Sequence, residues 1–247
     1  MYQHQENHYV IRGINAYLTA KWAIGVAMAS RLHIEVLEMI RSQVRELIST
    51  SEHGPVAVYS EIMAVLAYGL KHFRYTADPP TVELMYHPVE MIRRVRRFEG
   101  RWIEDCESLA AFTLTCLQAL GIPSRIAVVA YEPEYQTVNG QKVITSWPYL
   151  HIFAEALIPG QGWRMVDPSM GYMGRVFRVA DDTTRVLYMY PPTLNHPIRW
   201  VELNLLSGEV RQDFDSGNPL HTPIPFKPGH VSMQPSVQDV GTQELYQ

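Results

Sequence analysis

Between Asp105 and Tyr131 the chain carries a helix with a signal at each end, followed at once by a strand. No other run constrains the fold as much. Asp105 offers a carboxylate for the N-cap, and Leu109, Phe112, Cys116 and Leu120 recur at three- and four-residue spacing as an apolar stripe. Gly121 and Pro123 then close the helix. Arg125 to Tyr131 reads as a strand rich in Ile and Val. A polar excursion through Asn139-Gly140 reads as a hairpin turn. Leu150–Ile158 and Trp163–Asp167 read as two more strands, joined by Pro159-Gly160-Gln161-Gly162. Helices first and consecutive strands after them predict an α+β domain with an antiparallel sheet.

Upstream, the spacing predicts a helix over 14–50, with Leu37, Ile40, Val44, Leu47 and Ile48 on one face. Ser49-Thr50-Ser51 and Gly54-Pro55 punctuate it. A second helix follows with Ile62, Leu66, Leu70 and Phe73 inward, broken by Asp78-Pro79-Pro80. His87-Pro88-Val89-Glu90 opens a short helix with Pro in its first turn. From Pro191 onward the character changes: eight of the 17 prolines fall in the last 57 residues, and periodicity fades after Val210. The expected organisation is an N-terminal helical extension over 1–55, a core over 56–190, and a Pro-rich C-terminal extension over 191–247. That extension is expected to pin against a neighbouring copy or another assembly partner.

Composition narrows the function classes. With 47% hydrophobic and 19% charged residues the chain is neither disordered nor fibrous. A net charge of −4 gives no electrostatic reason to expect nucleic acid or an anionic membrane as partner. The one basic cluster, Arg93, Arg94, Arg96, Arg97 and Arg101, reads as a solvated helix face. No stretch reaches the roughly 18 apolar residues of a membrane span. Trp22–Ala29 ends in an Ala27-Met28-Ala29 that faintly resembles a signal-peptidase site, but the stretch before it is too long and too little basic. A cytoplasmic or virion location is expected.

Cys106 and Cys116 sit on one predicted helix, about 15 Å apart at ~1.5 Å rise per residue, too far for a disulfide or a shared metal. Each is explained alone. Cys116 reads as core. Cys106 falls in the first helical turn, where unpaired amides and the helix dipole favour a thiolate and can stabilise an oxyanion. Glu104, Asp105 and Glu107 oppose its ionisation, so it needs a cationic partner such as an imidazolium. Residue 153 faces 167 if residues 159–161 form a three-residue loop with Gly162 as a bulge, and His151 then lies diagonal to Asp167 on one sheet face. A slip of one residue separates them. Together these three fill the roles of nucleophile, base and orienter of an acyl transfer through a thioester. The plainer readings stay open: a small residue at a helix start, a surface histidine and a turn-capping aspartate. Trp102, within a turn before Cys106, either shapes a substrate groove or packs. Trp147, Tyr149 and Trp163 flank His151 and either line an apolar cleft or belong to the core. His72, His87 and His196 show no metal-ligand spacing, and no metal or organic cofactor is expected.

Several of these segments, taken in order, resemble the transglutaminase-like superfamily of papain-type folds. They are Asp105-Cys106-Glu107-Ser108-Leu109-Ala110, Ala119-Leu120-Gly121-Ile122-Pro123-Ser124-Arg125, His151 opening a strand, and Gly162-Trp163 with Val166-Asp167-Pro168. Phe73-Arg74-Tyr75 and His87-Pro88-Val89-Glu90-Met91 extend the likeness upstream, over about residues 59–170 in all. The resemblance implies a transglutaminase-like α+β core with a nucleophile helix packed on an antiparallel sheet, and catalytic roles for Cys106, His151 and Asp167. It implies a cysteine-dependent amide hydrolase or acyltransferase acting on a protein or peptide. The alternative is a structural subunit of a phage virion or other assembly, oligomeric and with little or no activity. One departure is Glu104, where many members have Gly before the Asp-Cys pair.

Overall fold

The computed structural model describes residues 8–12, 16–45, 54–77, 82–97, 102–130, 134–146, 151–174, 185–193, 198–204 and 210–215. Its elements run β1 (His8–Arg12), α1 (Ala16–Ser30), α2 (Ile34–Met39) with a π-helical continuation over Ile40–Val44, and α3 (Pro55–His72). Then come β2 (Phe73–Tyr75), β3 (Val82–Tyr86), α4 (Pro88–Arg97), β4 (Trp102–Glu104) and α5 (Cys106–Ala119). The second half is all strand: β5 (Ser124–Ala130), β6 (Glu134–Val138), β7 (Gln141–Ser146), β8 (His151–Ile158), β9 (Gly162–Asp167), β10 (Tyr172–Gly174), β11 (Arg185–Tyr190), β12 (Ile198–Asn204) and β13 (Val210–Asp215).

The main sheet is seven-stranded, in the order β10-β9-β8-β5-β11-β12-β13, with every neighbouring pair antiparallel. Its strands send alternate side chains to two faces, and both faces are buried over the central strands. Ile126, Val128, Ile152, Ala154, Ala156, Ile158, Val166, Leu187 and Met189 share one cluster with Ala20, Ala23, Ile24 and Ala27 of α1 and Ala110, Ala111 and Leu114 of α5. The intervening Ala127, Val129, Phe153, Met165, Val186 and Tyr188 form a separate buried cluster. A third core joins the helices: Val36 and Met39 of α2, Val65 and Tyr68 of α3, Met91 and Ile92 of α4, and Leu109, Phe112 and Cys116 of α5. Phe112 anchors it, with its ring 5.8 Å from Tyr68 and 5.0 Å from Phe73.

The helix expected over 14–50 is broken. Arg31 N still reaches Ala27 O at 2.9 Å, but His33 turns extended (ψ 139°) and caps a new helix, its Nδ1 accepting from Glu35 N at 3.2 Å. Leu32 and Ile34 are left outside at 70% and 61% exposure. The helix from Pro55 ends at His72 and passes directly into β2, while Asp78-Pro79-Pro80 lie outside the described residues. The basic cluster is not one solvated face. Arg93 and Arg96 pair with Glu35, and Arg94 is buried with its guanidinium over the rings of Tyr86 (4.6 Å) and Trp102 (4.5 Å). β12 and β13 carry the sheet beyond residue 190, where the sequence suggested an extension. Residues 216–247, which hold most of the Pro-rich stretch expected to meet a partner, lie outside the described residues.

Candidate active site

α5 begins where it does because Asp105 is extended (φ −93°, ψ −175°) and its Oδ1 accepts from Ser108 N at 3.2 Å. Cys106 is therefore the first helical residue. It is 7% exposed, at the margin of the core shared by α1, α5 and the sheet. Its polar contacts are specific: the thiol donates to Glu107 Oε2 at 3.3 Å, and the backbone N–H of Ile152, next to His151, hydrogen-bonds the sulfur. Burial pushes the thiol far up from its ordinary range, with Glu107 and Asp105 adding to the shift and the Ile152 amide opposing it. The helix terminus does not outweigh these effects, and the surroundings favour the thiol over the thiolate.

β4 delivers the chain to this helix, paired in parallel with β2 so that Phe73 faces Trp102 and Tyr75 faces Glu104. Thr76 N donates to Glu104 O at 2.9 Å. Glu104, 3% exposed, accepts from the indole N–H of Trp102, which is in turn stacked on Arg94. The Trp102 indole is thus committed to a carboxylate and held from behind. By strand alternation Tyr75 lies on the same side as buried Phe73, yet it is 46% exposed, so it stands at an opening. Burial and the nearby Cys106, Glu107, Asp105 and Asp167 raise the Tyr75 pKa, which places one phenol within electrostatic reach of both Cys106 and Asp167. Sequence patterning gave no sign of this position beyond its place in the Phe73-Arg74-Tyr75 segment, because it depends on a parallel pairing of distant segments.

His151 and Asp167 come from neighbouring strands. Ile158 pairs with Gly162 and Ala154 with Val166, the register expected for a loop over 159–161. His151 Nε2 lies 2.5 Å from Asp167 Oδ2. Asp167 is 2% exposed, and its Oδ1 accepts from Ser169 N at 2.9 Å and from Ser169 Oγ at 2.6 Å. The ring is thereby assigned as the Nε2–H tautomer. Among the described residues no hydrogen bond reaches Nδ1, which is left free for a proton from elsewhere. Phe153 supports the ring at 5.7 Å between centroids. Ser169 was legible in principle, since a serine two residues after an aspartate is a local turn signal.

Trp147 and Tyr149 lie outside the described residues. Among the described residues no group of three His, Cys, Asp or Glu side chains is placed to hold a metal ion, and no helix is long and apolar enough to cross a membrane.

Compared with protein families, residues 44–168 match the transglutaminase-like superfamily. No curated protein matches the chain. Among solved structures it is similar to the periplasmic domain of TgpA from Pseudomonas aeruginosa bound to ethylmercury, at 23% identity and a TM-score of 0.31, over 53% of this chain and 49% of that one. It is also similar to a candidate cysteine protease from Cytophaga hutchinsonii, at 15% identity and a TM-score of 0.35, over 90% of this chain and 67% of that one. The matched part spans about half the length of the TgpA domain.

Proposed function

The chain belongs to the transglutaminase-like superfamily, and from that footing we propose that it is a cysteine-dependent amide hydrolase or acyltransferase acting on protein or peptide substrates. The observation that carries the reading is the 2.5 Å contact of His151 Nε2 with Asp167 Oδ2, beside the helix start that bears Cys106. Because burial and Glu107 favour the thiol, Cys106 needs a base to take its proton. Cys106 Sγ bonds to the substrate carbonyl carbon as its proton passes to His151 Nδ1, and the carbonyl electrons move to oxygen. Asp167 stabilises the imidazolium without taking its proton. The tetrahedral species collapses, His151 returns the proton to the leaving amine, and a thioester remains on Cys106. Water or a second amine, deprotonated by His151, then releases the acyl group. Trp102, Trp147 and Tyr149 remain candidates for the cleft lining.

A second reading, a phage virion or other assembly subunit with little or no activity, draws on the burial of the thiol beside Glu107 and Asp105. Mass spectrometry of peptides incubated with the protein, with hydroxylamine as the competing amine, separates the two. Cleavage or hydroxamate formation that disappears in Cys106→Ala and His151→Ala supports the enzyme. Activity that survives in Cys106→Ala, or none with a broad peptide mixture while the full chain assembles into rings or stacks, overturns it.

A further inference from the structure

The corner after β9 holds Asp167 from two directions. Oδ2 faces His151 Nε2 at 2.5 Å, while Oδ1 takes both the amide and the hydroxyl of Ser169, at 2.9 and 2.6 Å. Between Asp167 and Ser169 lies Pro168, itself buried and seated against α3. A Cβ added at Gly69 would stand 2.8 Å from both Cβ and Cγ of Pro168, a separation that Cβ atoms essentially never show. Gly69 is buried within a helix and has no positive φ, so backbone freedom does not explain a glycine there. In a helix interior glycine is destabilising relative to alanine. What its missing side chain provides is the close approach of Pro168.

We propose that Ser169 and Gly69 are positioning residues for the Asp167–His151 pair, Ser169 by filling the carboxylate oxygen that does not face the histidine and Gly69 by giving Pro168 room to seat the corner on α3. Their catalytic consequence rests on the acyl-transfer reading. With Oδ1 occupied, the carboxylate presents a single edge to the imidazole and cannot rock about its terminal torsion. Both hydrogen bonds from Ser169 fall on Oδ1, so Oδ2 is the oxygen left to face the ring. The imidazole then stays in one tautomer, with Nδ1 available to Cys106.

The test uses the full chain with Ser169→Ala, Ser169→Thr and Gly69→Ala, each checked for folding by its thermal melt. Two readouts are taken: the low-field proton and tautomer of His151 by imidazole NMR, and the rate of Cys106 alkylation by iodoacetamide at neutral pH. Expected in Ser169→Ala and Gly69→Ala are loss or upfield movement of the His151 Nε2 proton and alkylation slower by about ten- to a hundredfold, the size of one hydrogen bond to a charged group. Ser169→Thr keeps both readouts native. A folded Ser169→Ala with an unchanged His151 signal and rate overturns the proposal, as does a native protein lacking the Nε2-protonated tautomer. Should Gly69→Ala fail to fold, the serine pair alone decides. An inactive native protein whose His151 signal still responds to Ser169→Ala removes the acyl-transfer reading and leaves the clamp. Normal activity with an indifferent signal does the reverse.

Discussion

At the scale of single residues, Cys106 is governed by what surrounds its sulfur. Burial comes first, then Glu107 and Asp105, and together they keep the thiol protonated at the start of a helix whose dipole favours the opposite. Glu107→Gln keeps the shape and removes one charge. Its expected effect is faster iodoacetamide alkylation of Cys106 at pH 7, by about tenfold for each unit the thiol pKa falls, and a pH profile moved to lower pH. An unmoved profile would leave burial and Asp105 as the causes. Much of this site was readable beforehand. The Asp105 cap lies three residues from its partner amide, and the His151–Asp167 match follows from the register that a three-residue loop over 159–161 sets. Tyr75 was not readable, because its place beside Cys106 and Asp167 arises from β2 pairing in parallel with β4.

At the scale of elements, α5 is the member on which the other helices close. Phe112 has no exposed surface and meets the rings of both Tyr68 and Phe73. Phe112→Ala is expected to cost about 3–5 kcal/mol by denaturant titration, whereas a loss below about 1 kcal/mol would mean the helix layer closes around the gap. The joint between α1 and α4 depends on His87. It caps α4 through its carbonyl, reached by Glu90 N and Met91 N, and its Nε2 lies 3.3 Å from Ser30 Oγ. Burial, then His33 and Arg93, lower its pKa, while Glu90 opposes them. In the unfolded chain the ring protonates near about 6.5, so the unfolded state binds the extra proton first as acid is added. Stability from this group is complete above that pH and is lost as pH falls towards the lower folded value. Melting temperatures taken from pH 7 to 5 should fall less steeply in His87→Gln, and parallel curves would remove His87 as the cause. The break between α1 and α2 was hidden in the sequence because Leu32 and Ile34 continue the apolar composition while pointing to solvent.

At the scale of the molecule, the additions expected on either side of the core are built into it. α1 lays Ala20, Ala23, Ile24 and Ala27 against α5 and the sheet, and β12 covers the edge of β11. A protein of residues 56–190 alone is therefore expected to lose its cooperative melt in circular dichroism, and a transition equal to that of the full chain would show both additions to be dispensable. The strands after residue 190 escaped sequence reading because Ile198-Arg199-Trp200-Val201 alternates only over its first three residues and follows Pro191, Pro192 and Pro197. The β6–β7 turn was found at once, since Asn139 and Gly140 take φ of 52° and 78°, as a two-residue hairpin of mirror-image type requires. That turn also bears on how the protein ages. Gly140 leaves its amide nitrogen unhindered beside the exposed Asn139 carboxamide, so slow cyclisation to a succinimide and hydrolysis would leave aspartate or isoaspartate at the hairpin tip. Stored material would then drift one unit beyond its formal charge of −4, and the isoaspartate fraction would carry an extra methylene in the backbone where two strands reverse.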